Sequence, residues 1–250
     1  TPDLAPFLIA SSGAHHLKDA LGGTEILKQD EALVPRGKVV FAERCARCHS
    51  SKLPAIPANL PAAALDHGQG CAGKNYLKCW NSYWEWTKTE DFRSKMRDMV
   101  NAPDFLDGNY LSSELRIPVT LLQTNACSPL ATNALAGNIW DNFSSQSYKD
   151  LPSVGTITWY QPFTGEPRSY VMPAGGRGYT RPPSLVSLWS TAPYLLNNSV
   201  GEFNADPSVQ GRLDSFQNSI EQMLWPEKRE KDELLGDKIP GKIDRTTEPS

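Results

Sequence analysis

The chain has no run approaching eighteen consecutive apolar residues, so nothing in it reads as a membrane-spanning helix. It has no excess of positive charge either. Its 25 Lys and Arg face 28 Asp and Glu for a net charge of −3, which leaves out the basic surface that nucleic-acid binding requires. Low-complexity blocks and internal repeats are absent, which excludes solenoids and disordered polar tracts. The opening Thr1-Pro2-Asp3 lacks the basic residues and apolar run of a signal peptide, and the expectation is a chain processed or excised from something longer. Histidine and methionine are scarce, four of each. Any metal chemistry must therefore be assembled from a short list of side chains.

What is present points to a large helical unit with many ordered loops. At 250 residues the chain can bury a real core. Its 20 prolines and 18 glycines are scattered, as expected for short elements joined by loops rather than for a helical bundle. The stretch from Val34 to Cys48 reads as a helix, with Pro35 suited to a first turn and Val39, Phe41 and Ala42 as apolar positions. The Trp-rich segment from Cys79 to Val100 reads as a second helix. From Ala102 to about Gly178 the chain is loop-rich, with strand-like pieces such as Gly155 to Tyr160. A last helix is expected from about Gly211 to Leu224, where Leu213, Phe216, Ile220 and Met223 or Leu224 recur at threes and fours. The organisation expected is an N-terminal extension over 1–33, one domain over 34–226 with a loop-rich insertion over about 102–178, and a charged tail over 227–250 that wraps in solvent.

The run Cys45-Ala46-Arg47-Cys48-His49 carries the chemistry. Two thiols three positions apart at a helix end can each add to a haem vinyl group, and the next histidine falls under the iron as proximal ligand. A structural zinc site would want a second closely spaced pair, which Cys71, Cys79 and Cys127 do not offer. A thioredoxin-like motif belongs in a βαβ unit, and none is apparent. The expected cofactor is one covalent haem c. Its attachment outside the energy-transducing membrane implies a periplasmic or extracellular setting, where disulfides are allowed. Cys71 and Cys79 bracket a Gly-Lys-Asn turn and are the favoured bridge, which leaves Cys127 free or intermolecular; pairings that use Cys127 stay open.

A sixth ligand separates electron carriage from binding of peroxide or dioxygen. The candidates are His15, His16, His67, Met96, Met99, Met172 and Met223. Met96 and Met99 read more simply as packing within the Trp-rich helix. Met172 stands on the Pro173 to Gly178 loop and Met223 at the end of the last helix; spacing does not choose between them. Arg47, Arg177 and Arg181 are candidates to pair with haem propionates, because guanidinium forks suit carboxylates, and an ordinary surface role is the competing explanation for each. Trp80, Trp84, Trp86, Trp189 and Trp225 could line an electron route, though packing is their commoner use. His15 and His16 could ligate a neighbouring haem, and His67 could displace the methionine.

The segment Tyr179-Thr180-Arg181-Pro182-Pro183-Ser184-Leu185-Val186-Ser187-Leu188-Trp189-Ser190-Thr191-Ala192-Pro193-Tyr194-Leu195-Leu196-Asn197-Asn198-Ser199-Val200 resembles the C-terminal haem domain of the dihaem cytochrome c peroxidases and related rubber oxygenases. Their pattern there is roughly Pro-Ser-Leu-Arg-Asn followed by Thr-Ala-Pro-Tyr-Phe-His-Asp-Gly-Ser. The resemblance implies that Pro183 and Leu185 pack against the proximal side of the haem and that Met223 is the axial ligand, with Met172 second. It also marks departures. The family histidine is Leu196 here, the arginine of Leu-Arg-Asn is replaced, and a single attachment motif stands where the enzymes need two.

The sequence therefore predicts a mainly α, cytochrome c-like haem domain with few short strands, ligated by His49 and Met223, that shuttles electrons between redox partner proteins or within a larger electron-transfer complex. The alternative is one part of a peroxidase- or oxygenase-like enzyme whose second haem lies in another domain or subunit.

Overall fold

The computed structural model describes residues 3–11, 13–29, 31–62, 71, 73–121, 145–195, 198 and 200–242. Helices dominate it. In order they are α1 (Leu4–Ser11), α2 (Gly23–Gln29), α3 (Val34–Val40), α4 (Ala46–His49), α5 (Tyr76–Trp86), α6 (Glu90–Asn101), α7 (Gln146–Lys149) and α8 (Val209–Leu224). A π turn, Phe41–Cys45, joins α3 to α4, so the expected helix through the cysteines is one continuous rod with a widened middle. Pro35 lies in the first turn of α3, where its missing N–H costs nothing.

Strands are few and short. β1 (Ile117–Pro118) pairs antiparallel with β4 (Tyr179–Thr180), and β2 (Thr156–Tyr160) forms an antiparallel hairpin with β3 (Pro167–Val171) in which Thr156 faces Val171. Among the described residues neither pair joins a larger sheet. The mainly α expectation holds at this level. The loop-rich segment over 102–178 supplies β1, β2, β3 and α7.

Two boundaries differ from the sequence-based expectation. The Trp-rich region forms two helices, because Thr87, Lys88 and Thr89 turn the chain and the Thr89 hydroxyl caps α6 by accepting from Phe92 N at 3.4 Å. Glu90 and Asp91 then occupy the first turn of α6, where carboxylates suit the helix dipole. In α8 the buried positions are Gly211, Ser215 and Ser219 rather than the expected Leu213, Phe216, Ile220 and Met223 or Leu224; the first four of these are half-buried and Leu224 is exposed. The small residues are required because the chain after Val200 lies directly on the helix: a Cβ at Gly201, whose φ is +99°, would sit 1.9 Å from Ser219 Oγ, and one at Gly211 would meet the Asp206 carbonyl at 2.5 Å.

The core lies between the cysteine-bearing rod and the α5–α6 pair. Trp80, Phe92 and Met96 are wholly buried, as are Ala42 and Ala46 on the rod, whose small side chains let the helices approach. Trp80 stacks on Trp84 with centroids 5.8 Å apart, and Trp86 meets Phe92 edge-on at 5.1 Å. Arg97 of α6 binds Glu43 in the π turn at 2.6 Å and also pairs with Glu90. Pro226–Lys228 ends α8, and the tail beyond it is not wholly solvated as expected. Asp232 and Leu235 are buried, since the Asp232 carboxylate accepts from the N–H groups of Leu234 and Leu235 and so ties down a turn there.

Candidate functional site

Cys45 ends the π turn, and Cys48 and His49 occupy the last positions of α4. Both cysteines are half-buried free thiols. Burial raises the pKa of Cys45, against an opposing pull from Arg47, and the same burial pushes Cys48 up to about 11. These thiols hold their protons at neutral pH. A thiol–disulfide exchange pair needs a lowered pKa, so this microenvironment disfavours that chemistry. Cys71 and Cys79 form a disulfide, the bridge favoured from sequence. Cys127 lies outside the described residues.

The His49 ring is fixed from outside its own helix. Its Nδ1 lies 3.1 Å from the carbonyl oxygen of Pro183, 134 residues away. A carbonyl only accepts, so Nδ1 carries the proton and Nε2 presents a lone pair. Burial lowers the His49 pKa, opposed by its bonds to the Pro183 carbonyl and the backbone of Leu111. The imidazole is therefore held neutral and in the tautomer a metal ligand needs.

A hydrogen-bonded clamp surrounds this contact. Asn109, which is buried, accepts on Oδ1 from Ser51 N and Ser51 Oγ, both at 3.1 Å, and from Leu111 N at 3.0 Å. Its Nδ2 donates to Ser50 Oγ at 3.1 Å. On the far side of the same segment, Leu185 N donates to Leu111 O at 3.1 Å, Ser184 Oγ to Tyr110 O at 2.7 Å, and Ser112 Oγ to Pro182 O at 2.6 Å. Residues 109–112 thus join the chain just after His49 to the segment that carries the Pro183 carbonyl. Sequence reasoning did not find these residues, and no local signal marks them, since Asn109 and Ser50 are 59 positions apart.

Beside this clamp runs an apolar cleft of about 430 Å³, walled by Val34, Lys38 and Phe41 on the rod and by Val100, Phe105 and Leu111 opposite. That volume lies in the range of small-molecule and cofactor sites. The cysteines and His49 do not line it; Leu111 connects the two, since its backbone meets His49.

The remaining predicted residues divide. Pro183 and Leu185 join the clamp. Arg47 lies over the Trp84 ring at 4.1 Å, and its carbonyl accepts from Tyr83 Oη at 2.6 Å. Arg181 pairs with Glu114. Arg177 Nε and Trp80 Nε1 are buried donors without a hydrogen-bond partner among the described residues. Met172 is buried in the core beside Val154, Val119 and Gly178. Met223 is half-buried at the end of α8, where its carbonyl accepts from Arg229 Nη2 at 3.2 Å. Met96 is wholly buried and Met99 half-buried in α6. His15 and His16 are exposed, and the His15 backbone bonds Ser187 Oγ and Trp189 Nε1. His67 and Leu196 fall outside the described residues.

Chemically, two protonated thiols and a neutral imidazole with one free lone pair meet at a single helix end. Among the described residues no group of three or more His, Cys, Asp or Glu side chains is placed to hold a metal ion. A haem needs no such group, because its porphyrin supplies four nitrogens and the protein only the axial ligands. Nor is any described helix long and apolar enough to cross a membrane. The donor set fits a haem attached by two thioether bonds. No protein-family model, curated protein or solved structure matches the chain.

Proposed function

We propose that the chain is a c-type cytochrome module that carries single electrons between redox partner proteins through one covalently attached haem. The hydrogen bond from His49 Nδ1 to the Pro183 carbonyl carries this reading, because it leaves Nε2 as the donor next to two free thiols at haem-attachment spacing. When bound, the haem supplies a one-electron Fe(III)/Fe(II) couple.

The residues of the chain have separate tasks. Cys45 and Cys48 would hold the haem by two thioether bonds, each S–H adding across one vinyl group with nothing leaving. His49 would hold the iron through Nε2. Pro183 fixes the ring and raises its basicity as a ligand, and Leu185 helps hold the Pro183 segment in place. Met223 would supply the second ligand to the iron. Met172 is the second candidate, and its thioether already packs against Gly178 in the core. Arg177 and Trp80 have buried N–H groups available to carboxylates such as the propionates, whereas Arg47 and Arg181 are engaged elsewhere. The Cys71–Cys79 disulfide suits the periplasmic or extracellular setting in which haem is attached.

The test is to produce the chain with a haem-attachment system and record spectra of Met223→Ala beside Met172→Ala. Loss of the methionine–iron band in the first and its retention in the second is expected. The reverse result makes Met172 the ligand. A high-spin wild-type spectrum, or cyanide binding within seconds, would replace electron carriage with the peroxidase- or oxygenase-like alternative.

A further inference from the structure

We infer that Asn109 is a positioning residue for the proximal histidine, tuning the reduction potential by holding the Pro183 carbonyl on His49 Nδ1. The inference rests on the haem reading above, and a different set of observations carries it. The amide uses both ends: Oδ1 accepts three hydrogen bonds, two from Ser51 and one from Leu111, while Nδ2 donates to Ser50. The two serines follow His49 directly in the chain. Leu111 in turn receives Leu185 N, and its neighbours Tyr110 and Ser112 bind Ser184 and Pro182. Pro183 is therefore gripped on both sides by residues that Asn109 organises.

The backbone at Leu111 shows why the side chain is needed. Its φ is +48°, a conformation uncommon for a residue with a branched side chain, and its N–H is held by Asn109 Oδ1. Without that bond the segment relaxes toward an ordinary conformation, and the Leu111 carbonyl that receives Leu185 N moves with it. Pro183 then withdraws from His49. A weaker Nδ1–H···O bond makes the imidazole a poorer donor to Fe(III), so the ferrous form is favoured and the potential rises.

The experiment uses the haem-loaded full chain and the variants Asn109→Ala and Leu235→Ala. Leu235 is buried in the C-terminal tail, and its truncation supplies a destabilised control. In Asn109→Ala the ferrous-to-ferric ratio at a fixed applied potential is expected to rise threefold to tenfold, tenfold being about 59 mV for one electron. The His49 Nδ1 proton signal of the ferrous protein should move toward that of a free imidazole. Leu235→Ala should lower the unfolding midpoint and leave both readings within twofold of wild type. In the haem-free chain, Asn109→Ala should also abolish exchange protection of the Ser51 and Leu111 amides.

If Asn109→Ala does not accumulate, Ser51→Ala removes only the Ser51 hydroxyl bonds to Asn109 and Tyr110 and should give a smaller shift of the same sign. A ratio unchanged within twofold in the loaded variant overturns the inference and leaves the haem reading intact. A wild-type chain that never acquires covalent haem overturns that reading instead, and with it the inference.

Discussion

The molecule carries two cysteine pairs with opposite fates. Cys71 and Cys79 are eight positions apart, their Cα atoms lie 5.8 Å from each other, and they are joined. Cys45 and Cys48 are much closer in sequence and stay reduced. The difference is the backbone between them. A short 3₁₀ turn, Gly73–Asn75, folds the first pair together, whereas the second pair rides on a helical rod. Side chains at i and i+3 on a helix have Cβ atoms about 5–6 Å apart, beyond the roughly 3.5–4.5 Å of a disulfide. Position along the helix matters as well. The pair stands at the C-terminal end, where the helix dipole disfavours a thiolate, and burial adds to that effect. One pair is built to close a loop, the other to keep two thiols protonated and available.

The largest effect expected from breaking this division is on cofactor content. Replacing Cys45 and Cys48 together by Ala should abolish covalent haem while circular dichroism stays helical, and replacing Cys71 and Cys79 should leave the haem in place, as judged by haem staining after denaturing electrophoresis. Next in size, the Cys71→Ala, Cys79→Ala chain should lose about 2–3 kcal/mol of stability in urea unfolding, the loop-closure term for a bridge of this span.

The thiols themselves sharpen the contrast through pH. Cys48 ionises near 9.0 when unfolded and near 11 in the fold, so its thiolate fraction at pH 8 falls by about a hundredfold on folding. Alkylation of Cys48 in the haem-free chain should slow by that factor. Because the folded value is the higher one, this group's contribution to stability is complete below pH 9 and is lost as pH rises through 11. Urea titrations of the haem-free chain at pH 8 and pH 11 would read it. The smallest effect expected is at Thr89. Its cap bond is long at 3.4 Å, so Thr89→Ala should cost only about 0.5–1 kcal/mol, measured by thermal unfolding.

Local features were legible in the sequence where local chemistry decides them. The helix through Cys45 and the Cys71–Cys79 bridge follow from spacing and a turn, while the strand at Thr156–Tyr160 was read from its β-branched and aromatic residues despite only weak alternation. The break at Thr87–Thr89 was missed because the apolar pattern of the Trp-rich segment runs through it, while the Thr89 hydroxyl ends one helix and starts the next. The buried face of α8 was missed for a tertiary reason. Periodicity selects Leu213 and Phe216, but close approach of the Gly201 and Asp206 backbone demands Gly211, Ser215 and Ser219. In the site, Cys45, Cys48 and His49 announce themselves as a motif, and Pro183 was reached through resemblance. Asn109 was invisible, since it acts only once distant segments meet.

The central claim is that the helix end at Cys45–His49 attaches a haem. It is tested most directly by maturing the full wild-type chain in a host with haem-attachment machinery, extracting the product with acidified acetone and measuring haem per polypeptide. One haem retained on each chain, with the spectrum of a thioether-linked haem, is the result predicted. A chain that stays haem-free with both thiols alkylatable, or that releases its haem to the solvent, would contradict the account.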